Sequence, residues 1–304
     1  MVADERGNVW ITQAGFNRLL RVNRRGHVAA VAQGQFSDPT ELAVDPEGRI
    51  LVADTGNNRI DMIDSAGPPH VIAGTGTPGA GGDGGPALQA QLNHPEGVAV
   101  AEDGDIFIAD TGNNRIREIT ADGNISTLAG SGTAGYSGDS GPNLFCRRAP
   151  EIRFNRPTTL EADSPTKRDL NAETVYVLDA GNKAIRQIRR FVDTSLPPPA
   201  PAAICPQVMT FGPSAGTPAI ANPIHMAVAY GLGVLVSSVG SRDLFVLGSL
   251  SQADYSTVSS GRFTPTPSPA WTPGAIAANQ HSDLFMIDTS TGQLHHIRYQ
   301  VPTA

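Results

Sequence analysis

Short apolar runs separated by Gly-, Pro- and Asn-rich turns set the pattern of this chain, and no 3.6-residue period is sustained. The clearest run is Ile50-Leu51-Val52-Ala53-Asp54-Thr55-Gly56-Asn57-Asn58-Arg59-Ile60, and it returns as Ile106-Phe107-Ile108-Ala109-Asp110-Thr111-Gly112-Asn113-Asn114-Arg115-Ile116. A near-continuous apolar stretch such as Ile50-Leu51-Val52-Ala53 predicts a strand buried on both faces. The Thr55-Gly56-Asn57-Asn58 turn then reverses the chain, Gly and Asn being the residues that accept the positive φ of tight hairpins. The following stretch, Arg115-Ile116-Arg117-Glu118-Ile119 in the second copy, alternates apolar and polar and predicts a half-exposed strand. Asp122-Gly123 makes a further turn, and residues 125–129 form a fourth, outer strand. Five of the units open on an x-Pro step: Asp38-Pro39, His94-Pro95, Arg156-Pro157, Asn222-Pro223 and Thr272-Pro273.

A weaker copy runs over residues 175–185, and degenerate copies cover residues 9–19, 234–244 and 284–294. Aligned on Asp54, the register positions are Gln13, Asp54, Asp110, Asp179, Ser238 and Asp288, with spacings of 41, 56, 69, 59 and 50 residues. Such spacing fits one four-stranded blade per unit, with the extra length spent in loops. A unit of this kind buries its faces only against its neighbours. The expected fold is all-β: one six-bladed β-propeller of four-stranded antiparallel blades over residues 1–304, with blades at about 1–34, 38–74, 94–130, 156–212, 222–261 and 272–304. Only five residues follow Tyr299, and Pro302 breaks them, so the last blade is expected to lack its outer strand within this chain.

These residues resemble the NHL-repeat family of β-propellers, most closely over residues 38–130. The Asp-Thr-Gly-Asn-Asn-Arg-Ile run with Gly-rich outer loops is similar to bacterial extracellular members and to the NHL propeller of teneurin-type surface proteins. The resemblance implies a ring of blades and a binding role. It also brings two enzymatic precedents, zinc lyases with several channel histidines and six-bladed lactonases holding a divalent cation, and one of RNA binding through a basic face.

Composition narrows these options. The net charge is −7, and arginines are scattered at Arg18, Arg21, Arg24 and Arg25, at Arg147 and Arg148, and at Arg186, Arg189 and Arg190. Non-specific nucleic-acid affinity rests on neutralised phosphates, so RNA binding is disfavoured and these clusters read as solvated blade edges. No apolar run approaches the roughly 18 residues of a membrane span. No export signal opens the chain, yet the resemblance places the protein outside the cell or in the periplasm. Two cysteines exclude a disulfide framework. Cys146 and Cys205 form a candidate disulfide if the insertion around Leu144 to Ile152 folds down the outer wall of the fourth blade; otherwise both are inert thiols.

Gly74 to Gly79 and Gly130 to Gly135 fit G-x-G-x-x-G, but each follows an outer strand and leads into another strand, so the helix start that a dinucleotide needs is missing. These two long loops, expected on the face of the b–c turns, carry Asp83 and Asp139; one carboxylate per loop is too few for calcium, and loop capping is expected. Gly138-Asp139-Ser140-Gly141 echoes a serine-protease signature, but its copy reads Gly82-Asp83-Gly84-Gly85, which explains it without catalysis. The innermost strands place Glu41, Gly97, Thr159, His225 and Ala275 in one register beside the channel mouth, with Thr40, Glu96, Thr158, Ile224 and Gly274 next to them. Glu41, Glu96 and His225 are the candidate cation ligands there, with Thr158 and Thr159 as polar neighbours, although a catalytic zinc normally takes three protein ligands. A polar, water-filled mouth without a cofactor is the expected state. On the loop face, Asn57, Asn58, Asn113, Asn114, Asp83 and Asp139 are the candidate binding residues.

The sequence reading is therefore a non-catalytic interaction or scaffold module. The expected partner is another protein, or a further segment of a longer chain, adding a strand beside Leu294–Tyr299. The alternatives are a metal-dependent lyase or lactonase acting at the channel mouth and an RNA-binding propeller.

Overall fold

The computed structural model describes residues 1–64, 68–137, 151–163, 172–193, 203–211, 223–229, 233–238, 244–247, 260–263, 273–278 and 283–298 of the 304-residue chain. The strands are β1 (Val2–Ala3), β2 (Val9–Gln13), β3 (Arg18–Val22) and β4 (Val28–Val31) in the first sheet, and β5 (Pro39–Val44), β6 (Ile50–Asp54), β7 (Arg59–Ile63) and β8 (His70–Ala73) in the second. The third sheet holds β9 (Gly85–Pro86), β10 (Gly97–Val100), β11 (Ile106–Asp110), β12 (Arg115–Ile119) and β13 (Asn124–Ala129). The fourth holds β14 (Pro157–Asp163), β15 (Ala172–Asp179), β16 (Ala184–Asp193) and β17 (Ala203–Phe211). The fifth holds β18 (Pro223–Ala229), β19 (Gly233–Ser238), β20 (Leu244–Leu247) and β21 (Ser260–Phe263), and the last is β22 (Pro273–Ala278), β23 (Asp283–Asp288) and β24 (Gln293–Arg298). These small antiparallel meanders are the blades of a β-propeller.

Five sheets carry at least four strands, and β22–β24 forms a three-stranded one, so five complete blades are described rather than the six of the sequence reading. Residues beyond Arg298 lie outside the described residues, and so does any fourth strand they would supply. The third sheet also departs from four strands. The Gly-rich connection from β8 runs down the outer wall of the next blade, where β9 pairs with Asn124 and Ile125 of β13 and Ala87 N–H donates to Gly123 O at 3.0 Å. The loop expected on the b–c face thus reaches the turn between β12 and β13 before Thr75 and Gly79 N–H bind back to Ala90 and Leu92.

The third strands correct a second expectation. In β12 every residue after Arg115 is buried, Arg117 and Glu118 included. Alternation in sequence assigns side chains to two faces, and in a propeller both faces meet neighbouring blades. The apolar residues from adjacent sheets and their connections pack together: Leu51, Ile60, Leu92, Val98 and Ile108 in one cluster, Phe107, Ile116, Phe154, Leu160 and Val177 in another. Phe154 and Leu92 are fully buried, each stabilising the packing by about 1.5–3 kcal/mol.

The chain divides into two compact units. One comprises Met1–Ile11, Leu19–Val31 and Phe211–Ala304, and carries most of the first sheet and the last two. The other comprises Thr12–Arg18 and Ala32–Thr210, and carries the second, third and fourth sheets. No helix among the described residues is long and apolar enough to cross a membrane.

Candidate functional site

The repeated turn between the second and third strands is a hydrogen-bonding device. Asp54 Oδ1 accepts from Ser37 N–H at 2.6 Å, and Oδ2 accepts from Asn57 Nδ2 at 2.7 Å and Arg59 Nε at 2.9 Å. Asp110 repeats this with Asn93 N–H at 2.8 Å and Asn113 Nδ2 at 2.8 Å, and Asp179 with Asn155 N–H at 2.7 Å and Asn182 Nδ2 at 2.7 Å. Burial pushes Asp110 and Asp179 above the usual carboxylate range even though these donors pull the other way.

The second asparagine of each turn takes the left-handed conformation, with φ of 54° at Asn58 and 51° at Asn114. Its Oδ1 accepts from the N–H of the residue before the next Pro, His94 and Arg156, at 2.9 Å each. Asn17 does the same for Asp38. Those three pre-proline residues have φ of 47–52°, a costly conformation for residues with a Cβ. Asn58 and Asn114 therefore clamp one blade to the entry of the next. The glycines of these turns do not supply the positive φ. Gly56 N–H donates to Ser37 O at 2.8 Å, and a Cβ on Gly56 would lie 2.9 Å from that oxygen. Close approach is what excludes a side chain.

Seven residues after each Asp stands a residue whose burial and pairing the sequence reading did not anticipate. In the third sheet it is Arg117, fully buried, with Nη1 3.4 Å from Asp110 Oδ2 and Nη2 2.7 Å from Asp83 Oδ1. Asp83 also accepts from Thr127 Oγ1 at 2.7 Å, so this loop aspartate, expected to cap its own loop, anchors the loop on the next blade's arginine. In the fourth sheet it is Arg186, read as a solvated edge and in fact fully buried, 5.1 Å from the Tyr136 ring and 5.2 Å from the Phe154 ring. In the second sheet it is Asp61, beside Arg59 Nε at 3.1 Å and raised to about 7 by burial and by the hydrogen bond its protonated form gives to Asp54.

The innermost strands carry a second cluster. Glu41 on β5 is buried, and its Oε2 accepts from Val98 N–H of β10 at 3.1 Å and Leu160 N–H of β14 at 3.0 Å. One carboxyl group thus ties three consecutive blades. Burial raises its pKa well above the ordinary value, the charge of Glu161 adds to this, and the two N–H donors oppose it. Gly97 sits against it: a Cβ there would meet Thr158 O, and Glu41 Oε2 at 2.9 Å. Thr158 Oγ1 lies 3.5 Å from Leu178 O, and Thr159 is buried. Glu96, a quarter exposed, faces away toward Arg156 Nη2 at 3.3 Å, while its carbonyl accepts from Thr40 Oγ1 at 2.7 Å.

The third proposed ligand, His225, belongs to the other unit. It is half-buried, its Nδ1 is shielded with no hydrogen-bond partner among the described residues, and burial lowers its pKa to about 3, which keeps the ring neutral. Among the described residues no three His, Cys, Asp or Glu side chains group as a metal site. Asp139 and Cys146 lie outside the described residues, as does the side chain of Cys205 on β17.

Residues 70–164 match the teneurin NHL domain and residues 36–60 the NHL repeat. Teneurin-3 of Danio rerio is 32% identical over 196 residues, covering 57% of this chain and 7% of that protein. The NHL repeat-containing protein 2 of Gallus gallus is 35% identical over 105 residues, 34% of this chain and 14% of that protein. The chain thus spans a small part of the curated relatives it matches. Among solved structures, a streptogramin B lyase superposes with a TM-score of 0.57 at 16% identity, covering 98% of this chain and 82% of that one. A putative gluconolactonase superposes with a TM-score of 0.57 at 14% identity, covering 96% and 84%. Identities this low establish the shared propeller architecture alone. The repeated turns, their clamping asparagines and these matches agree: the chain resembles the NHL-repeat β-propellers, the teneurin NHL domain among them.

Proposed function

We propose that this chain is a non-catalytic propeller module, a protein-interaction or structural scaffold within a larger extracellular or periplasmic protein. The observation that carries this reading is the match of residues 70–164 to the teneurin NHL domain, with the chain corresponding to only 7% of a teneurin. The local chemistry supports it. Glu41, Asn58, Asn114 and Asp83 each spend their polar atoms on bonds within the protein. The three-stranded sheet β22–β24 is read as the sixth blade, completed beside Leu294–Tyr299 by a strand from a partner or from a further segment of a longer chain. Its N–H and C=O groups make such an edge an association site.

The second reading is a metal-dependent lyase or lactonase with His225 among its ligands. It is favoured by the shielded, unpartnered Nδ1 of His225, with the two enzymes named above as fold precedents. Elemental analysis of dialysed protein, with gluconolactone hydrolysis followed in parallel, separates the two. The scaffold reading expects far less than one equivalent of divalent metal per chain and hydrolysis at the buffer rate. A stoichiometric ion lost in His225→Ala would overturn it.

A further inference from the structure

A cavity of about 490 Å³ opens in the unit that holds the first and last sheets, lined on one side by Gly7, Val9, Val22 and Arg24 and on the other by Asp283, Phe285, Leu294 and His296. Its volume lies in the range of small-molecule sites. Its floor continues the apolar cluster of Met1, Ala3, Val9, Ala277 and Phe285, with Val22 and Leu294 only partly covered. In the third sheet the corresponding outer space is closed by Ile125 and Leu128 of the fourth strand. No fourth strand pairs with β24 among the described residues.

The polar groups on the two walls differ. His296 Nε2 lies 2.7 Å from Asp283 Oδ1, and its ring stacks on Phe285 at 4.7 Å with 12° between the planes. The hydrogen bond to Asp283 fixes the ring, and the His296 side chain remains 48% exposed, leaving ring surface for a further planar group. Arg24 on the facing wall makes no hydrogen bond or ion pair among the described residues; its Cγ, Nε and Cζ pack over Gly7, where a Cβ would collide with them, which leaves its terminal Nη groups for a ligand. The cavity therefore offers an apolar floor, an aromatic stack and one uncompensated guanidinium.

We infer that this cavity binds a small amphipathic organic anion, a planar apolar body bearing a carboxylate or sulfonate, with the anion on Arg24 and the body on Val9, Val22, Leu294 and the His296–Phe285 stack. This inference does not rest on the metal question, but it competes with one part of the scaffold reading, since a strand added beside Leu294–Tyr299 would close the same space along β24. The test uses the intact chain and two fluorescent probes of similar shape, 1-anilinonaphthalene-8-sulfonate and its uncharged analogue N-phenyl-1-naphthylamine. The sulfonate probe is expected to saturate one site per chain. Arg24→Gln should weaken it about tenfold, the effect of removing one charged hydrogen bond, with the neutral probe unchanged. Arg25→Gln, on the same exposed turn but outside the cavity, should leave both probes unchanged. Leu294→Trp, which fills the cavity, should abolish both at native circular dichroism. Equal losses in Arg24→Gln and Arg25→Gln, undiminished binding in Leu294→Trp, or absence of a saturable site would overturn the inference. The metal assay above does not touch this cavity, so failure of one reading is distinguishable from failure of the other.

Discussion

The second and third sheets share an eleven-residue repeat almost letter for letter, yet they solve the same electrostatic problem with opposite charges. Asp54 and Asp110 occupy equivalent positions and both are fully buried. Seven residues on, the third sheet places Arg117 beneath its aspartate, whereas the second places another acid, Asp61, and draws its cation from Arg59 on the turn. The preceding connection explains the difference. The long loop into the third sheet delivers Asp83 to the far side of Arg117, so a buried guanidinium meets two carboxylates. The connection into the second sheet, residues 32–38, is short and holds no acid before Asp38. A buried arginine at position 61 would have no loop carboxylate to meet. The lesson is that the buried arginine leans on the loop: Arg117 meets the loop carboxylate of Asp83 at 2.7 Å, and Arg186 in the fourth sheet meets the loop carbonyl of Ser137 at 3.1 Å.

The most disruptive test removes that cation. Arg117→Met leaves Asp110 buried without the guanidinium that pairs with it, and a loss of about 3–5 kcal/mol is expected in denaturant unfolding, as for breaking one side of a buried pair. The double change Arg117→Met/Asp110→Asn should recover part of it, because the uncompensated charge goes too. A loss below about 1 kcal/mol in the single variant would show that Asp110 is held by Asn113 and Asn93 alone. Next comes the transplant, Asp61→Arg. It should cost about 2–4 kcal/mol, because two guanidiniums would then share Asp54 and one would be buried unpaired. A stability equal to the parent's would break the link between loop and arginine.

The same contrast marks how far the sequence carries. The order of the four blade strands and the Asp-to-Asn turn were legible, because an eleven-residue repeat fixes register and Gly and Asn mark reversals; the extra strand β9 was not. The burial of Arg117, Glu118 and Arg186 was not, since alternation says only that a strand has two faces. The role of Asp83 was not either: its partner stands 34 residues later, and no local rule links an acid in a Gly-rich loop to a guanidinium on the next blade. The offset of seven from Asp54, Asp110 and Asp179, compared across copies, was the signal that would have found it. At the inner strands, the register grouped Glu41 with Gly97 and Thr159, and in the structure Gly97 sits against Glu41 Oε2. It did not reveal that the backbone N–H groups of Val98 and Leu160 donate to the carboxylate. The cavity beside β24 left no trace, since its walls come from opposite ends of the chain.

The acidic solution of the second sheet also predicts a pH signature that the third lacks at this position. Asp61 is held at about 7, well above its unfolded value, by burial first and then by Asp54. Between those two values the native chain binds a proton that the unfolded chain has released. Stability is then fully present below about pH 4, falls as pH rises toward 7, and is flat above. Asp61→Asn keeps the hydrogen bond and removes the titration. It should raise stability at pH 8 by on the order of 1–2 kcal/mol, less than the ~1.4 kcal/mol per pKa unit would give, because the proton lies between two carboxylates. Urea midpoints at pH 5 and pH 8 check this, and an unchanged slope against pH would remove Asp61 from the account.

The smallest effect separates the loop from the arginine it meets. Asp83 is 43% exposed where Arg117 is fully buried, so solvent screens its half of the pair and Asp83→Asn should cost only about 1 kcal/mol. The reason to measure it is where the loss appears. Asp83 holds the loop through Arg117 and Thr127, while β9 holds it through Asn124 and Ile125. Weakening the first attachment should speed amide exchange in residues 79–86 and leave β10 to β12 unchanged, because Arg117 keeps Asp110. Faster exchange throughout β12 would mean that the loop carboxylate, and not the turn aspartate, keeps the guanidinium inside the sheet. The dependence between loop and arginine would then run more strongly than the static distances of 2.7 and 3.4 Å suggest.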